Sequence, residues 1–164
     1  MKWRELLDQW SLTGLKINVG VLNAEFKPSD HDKDAAWALY IELVTRITTQ
    51  PLPREQGDEA TALTSIYSLF GLTRDILKAP GARHAGEFAK IAVVVLNQKV
   101  RPFTAKWHRL SLAGAFDDAA QRTVFRDELE ALQVELLHYT RLLGHMAGVE
   151  GEDDLTRIEA QAAG

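Results

Sequence analysis

The clearest regularity in this chain is the spacing of apolar residues between 118 and 147. Phe125, Leu129, Leu132, Leu136, Tyr139, Leu143 and Met146 alternate steps of four and three, the stripe that one face of an α-helix presents. Leu137 and Leu142 widen that stripe. Asp117 or Asp118 can cap its start and Gly148 its end. A second helix is expected from Asp30 to about Thr48, capped by Ser29 or Asp30 and followed by Pro51 and Pro53. Its interior is apolar around most of the circumference, broken only by Glu42 and Arg46, so it should be central and covered on several sides. A third helix is expected from about Asp58 to Lys78, with Leu63, Ile66, Tyr67, Phe70 and Leu77 on one side and Ala79-Pro80-Gly81 as its stop.

Two stretches carry weaker patterns. Arg83 to Lys99 is expected to be helical on the spacing of Phe88, Ala92, Val95 and Lys99, although the run Ile91 to Leu96 would also suit a buried strand. Pro102 then either kinks this helix or sits in the first turn of a new one that ends near Leu112 and Gly114. In the first 27 residues, Trp3 to Trp10 reads as a short helix. Residues 15–26 fit a strand period and a helix period equally, and both readings stay open. The expected fold is all-α: one antiparallel bundle of about five helices over residues 1–150, with a polar tail over 151–164 that should fray.

Composition narrows the chemistry. The chain has 164 residues, of which 46% are hydrophobic and 26% charged, an ordinary globular balance. It has no cysteine, which removes disulfides, thiol nucleophiles and Cys-ligated metals. Charges occupy the first residues where a signal peptide would need an apolar run, and no run approaches the ~18–20 apolar residues that span a bilayer. A cytoplasmic protein without a membrane association is therefore expected.

The net charge of −4 is unevenly spread. Residues 81–114 hold six basic side chains against Glu87 alone, and residues 115–164 hold eleven acidic against four basic. The two segments are expected to neutralise each other inside the fold; the alternative is a basic face open to an anionic partner.

Several motifs can be tested on their chemistry. Gly81 to Gly86 has P-loop glycine spacing, but Glu87-Phe88 replaces the Lys-Ser/Thr that phosphate binding needs. Asp30, Asp32 and Asp34 begin like a calcium loop, yet Ala35 and Ile41 stand where glycine and a bidentate carboxylate are required. They read as an acidic helix start. Glu135 and His138 have the Glu-x-x-His spacing of di-iron bundles without a second copy, so they read as a solvated polar face with Arg141 and His145. No metal site and no cofactor are expected.

The most suggestive stretch is Arg101-Pro102-Phe103-Thr104-Ala105-Lys106-Trp107-His108-Arg109. On a helix, Arg101 and His108 share a face two turns apart. Arginine can hold a phosphate bidentately and histidine can act as acid or base near neutral pH. Lys99, Lys106 and Arg109 would add positive potential, and Trp107 could stack on a base.

An arginine followed after six residues by a histidine resembles the motif of the HEPN ribonucleases, small helical bundles whose Arg and His are four to six residues apart. This chain carries Pro102 where that family has a polar residue. The resemblance implies RNA cleavage through the substrate's own 2′-hydroxyl, with Arg101 and His108 as the catalytic residues.

Of the four tryptophans, Trp37 is expected in the core, and Trp3 and Trp10 at contacts with another chain. The reading favoured by the residues is a non-enzymatic helical interaction or regulatory subunit, with a protein partner or self-association through the 125–146 seam. Two alternatives stand beside it. One is the HEPN-like ribonuclease using Arg101 and His108. The other is a nucleic-acid binder using Lys99, Arg101, Lys106, Trp107 and Arg109 without chemistry.

Overall fold

A computed structural model describes residues 1–12 and 14–149, and the polar tail expected over 151–164 lies outside the described residues. The fold is all-α. Its elements are α1 (Trp3–Gln9), α2 (Val19–Asn23), α3 (Asp30–Val44), α4 (Glu59–Lys78), α5 (Gly86–Val95), α6 (Arg101–Leu112) and α7 (Ala119–Met146). A π-helical turn, Leu96–Val100, joins α5 to α6 without a break.

The caps follow from the side chains at each start. Ser29 and Asp32 form a reciprocal capping box on α3. Asp58 accepts from the Thr61 amide on α4, and the Thr61 hydroxyl with that amide holds the Asp58 carboxyl below its ordinary value. Asp118 accepts from the Ala120 amide on α7. α5 has no cap of its own. Asp32, 1% exposed, reaches from α3 to accept the Phe88 amide at 2.9 Å, so one carboxylate caps two helices.

α3 stops at Val44, a turn earlier than the prolines suggest. The hydroxyl of Thr45 takes the carbonyl of Ile41, those of Thr48 and Thr49 take that of Leu43, and the Gln50 amide takes that of Val44. Once side chains satisfy the last carbonyls, the backbone has no need to continue. Residues 15–26 resolve to neither extreme. They hold the short helix α2 in otherwise irregular chain, with one isolated bridge between Lys2 and Glu25 and no strand among the described residues.

The long α7 runs antiparallel to α3, with Gly144 against the Tyr40 ring and Gln133 donating to the carbonyls of Ile47 and Gln50. α4 lies along the other flank of α3, where Arg46 bonds both Glu42 and Ser68. α4 and α6 are also antiparallel, because Phe70 meets Arg101 while Tyr67 meets His108. All seven apolar residues of the α7 seam are buried, in one cluster with residues from α1, α3, α4, α5 and α6. The seam therefore closes the monomer's own core and is not available to a second chain.

Two tryptophans sit elsewhere than expected. Trp37 is 47% exposed and stacks on Tyr40 at the rim of α3, because α4 and α7 cover the other sides of that helix. Trp3 is fully buried and donates its indole N–H to Glu87 at 2.8 Å, so it anchors the N-terminal helix within the protein's own core. Trp10 is half-buried against the His145 ring. The loop between α3 and α4 is held by Arg126, which is 4% exposed and bonds Glu59 and the carbonyls of Pro53 and Gln56.

Candidate functional site on the α4–α6 edge

The placement of Arg101 and His108 depends on the turn before them. Pro102 has no N–H, and in a regular helix its ring would press on the carbonyl four residues back. The chain widens instead: the Arg101 amide bonds the Leu96 carbonyl, five residues earlier, which relieves that clash. α6 then continues, and its inward residues Phe103 and Trp107 pack with Phe125 of α7.

This orientation divides the basic stretch in two. On the flank facing α7 the cations meet carboxylates. Lys99 pairs with Glu135 at 3.2 Å, and Lys106 pairs with Glu128. Trp107, 1% exposed, donates its indole N–H to Glu128 at 2.9 Å. Of the residues expected to bind nucleic acid, Lys99, Lys106 and Trp107 thus lie on the flank that packs against α7. Trp107 offers no ring face to a base, and the two lysines are already neutralised by α7.

The flank facing α4 is different. Arg101 is exposed, its guanidinium lies 4.8 Å from the centre of the Phe70 ring, and its Nε donates to Asn97 at 3.0 Å. His108 is half-buried and stands edge-on to Tyr67, ring centres 4.9 Å apart. Tyr67 is 50% exposed and also touches Phe70. Arg74 follows Tyr67 by two turns on the same exposed side of α4. Among the described residues no carboxylate pairs with Arg74, Arg101 or Arg109. The edge thus brings Arg101 and His108 together with two residues the sequence reading did not assign to a site, Asn97 and Tyr67. Arg109 lies exposed on its shoulder.

Such an edge can do two things chemically. An exposed ring near a cation can stack on a planar base while the cation holds an adjoining phosphate. Arginine beside an imidazole can also polarise a phosphodiester and move a proton.

Elsewhere the metal-ligand chemistry is thin. Glu135 is engaged by Lys99, and His138 with its Glu-x-x-His spacing gains no further carboxylate or histidine. No cluster of three or more such ligands occurs among the described residues. Among them, too, no helix is long and apolar enough to cross a membrane. No family model, curated protein or solved structure matches this chain.

Proposed function

We propose that this protein is a non-enzymatic helical binding module, an accessory subunit whose working face is the α4–α6 edge and whose ligand is a single-stranded nucleic acid. The observation that carries this reading is the half-exposed Tyr67 ring, which meets His108 and touches the Phe70 ring that carries Arg101, on the flank of α6 that faces α4. A base stacked on Tyr67 would place its neighbouring phosphates toward Arg101 and Arg74. The test is fluorescence anisotropy with a labelled single-stranded RNA, read at several salt concentrations. Affinity should fall steeply with salt, since each neutralised phosphate releases counterions. Tyr67→Ala should cost roughly 1–3 kcal/mol, the worth of one base–aromatic stack.

A second reading is favoured by one further observation: Arg101 and His108 share the same α4-facing flank. In that reading the bound strand is cut. The 2′-hydroxyl oxygen bonds to the adjacent phosphorus as His108 takes its proton and Arg101 holds the phosphoryl oxygens, and the P–O5′ bond breaks with the 5′-oxygen taking a proton from water. Electrophoresis of the RNA from the same samples separates the two. Fragments made by the wild type and absent with His108→Ala establish cleavage, and intact bound RNA establishes binding alone. No binding even at low salt sinks both and leaves the edge to a protein partner.

A further inference from the structure

The outer face of α7 has an order that the fold does not use. Opposite the buried seam, Val124, Asp127, Ala131, Val134, His138, Arg141 and His145 repeat at steps of three and four. Val134 is 57% exposed and Val124 46%. Asp127 and Glu130 have side chains 62% and 58% exposed. Arg141 and His145 are exposed as well, while Leu137 and His138 are half-covered. The middle of this face is apolar, and the open groove beside it adds Pro51, Leu52 and Pro53, a recess of about 400 Å³ with Val134 and Leu137 on its wall.

Charge along the face is polarised. The acidic residues Asp127 and Glu130 lie before Val134, and the basic or titratable His138, Arg141 and His145 lie after it. Arg54 already bonds Asp127 at 2.7 Å and Glu130 at 3.1 Å, so two carboxylates share one guanidinium and one negative charge remains. Among the described residues Arg141 has no carboxylate partner.

We infer that this face pairs two copies of the chain, with the α7 helices antiparallel about a two-fold axis at Val134. A two-fold contact is self-complementary: each residue before the axis meets the residue equally far beyond it. Asp127 stands seven positions before Val134 and Arg141 seven after, so each Asp127 meets the other copy's Arg141. Glu130 likewise meets His138, Ala131 meets Leu137, and the two Val134 side chains meet each other at the axis. The small Ala131 lets the helices approach, and Leu137 enters toward the recess walled by Leu52. A parallel arrangement would set Asp127 against Asp127 and Arg141 against Arg141, which the polarised charge disfavours. This inference is independent of the α4–α6 edge, which lies on other helices.

Sedimentation equilibrium of the full chain across ~1–200 μM, a range chosen to bracket a small interface, tests the pairing. The wild type should show a monomer–dimer equilibrium, and Arg141→Glu should weaken it by ~10-fold or more by setting two like charges together. Adding Asp127→Arg to that variant should restore it, because the pair is re-formed with its charges exchanged. A second measurement uses the absence of cysteine. Under mild oxidation Val134→Cys should yield a cross-linked dimer. Val124→Cys should not, since its two thiols would lie about 30 Å apart along antiparallel helices. A wild type that stays monomeric throughout overturns the inference. So does a dimer indifferent to Arg141→Glu, or one cross-linked as readily at 124 as at 134.

Discussion

The two flanks of α6 are built from the same short sequence and meet opposite fates. Toward α7, Lys99, Lys106 and Trp107 each find a glutamate, and their charge and polarity are absorbed by the fold. Toward α4, Arg101 and His108 meet aromatic rings, Phe70 and Tyr67, and among the described residues no carboxylate. Ring contacts hold a cation in place without cancelling its charge. The difference shows that basic content along a sequence says little about a basic surface. What matters is whether the neighbouring helix brings carboxylates or rings.

Four substitutions can break or sharpen this contrast. The largest effect belongs to Trp107→Ala, which empties a fully packed site between α6 and α7 and should destabilise the protein by about 3–5 kcal/mol in urea unfolding. Glu128→Ala comes next. It strands the Trp107 N–H in a buried position and should cost about 1–3 kcal/mol by the same measurement, although it removes only a half-buried residue. Lys106→Ala loses the exposed half of that arrangement and should cost no more than about 1 kcal/mol. Tyr67→Ala should leave the unfolding midpoint within about 0.5 kcal/mol of the wild type while it weakens RNA binding. A Tyr67 variant as unstable as the Trp107 variant would mean that the α4 flank is structural too, and the contrast would be lost.

Most of the helical framework was legible from spacing alone. α4 and α7 carry long single stripes with an aspartate at the N-cap, and the start of α3 is marked by Ser29 and Asp32. What was not legible depended on partners distant in the chain. Trp37 has helical spacing that fits a core, but spacing gives an angle around the helix and not which angles a neighbour covers. α3 ends four residues short of its periodic stretch because the threonine hydroxyls that close it leave no periodic mark. Residues 15–26 fit two periods, and what holds them includes a pair of bonds between the Gln98 side chain and the Lys16 backbone, which no local pattern announces. At the site, Arg101 and His108 could be found because both lie on one helix. Tyr67 has the spacing of α4's apolar stripe. The charge pattern predicts that the basic segment meets the acidic one, but not which lysine meets which glutamate, because Glu128 and Glu135 come 22 and 36 positions after Lys106 and Lys99.

The wide turn at Leu96–Val100 sets the clocking of everything after it. Each residue advances a helix by about 100°, so the extra residue held in that turn decides which way α6 faces, much as a shim sets the angle of a hinge. Deleting one residue there would leave α5 in place and rotate α6 by roughly that angle. Trp107 would swing away from Glu128 and Arg101 away from Phe70 together. The anchored flank and the open flank are thus phases of one rotation, fixed by a single backbone irregularity beside Pro102.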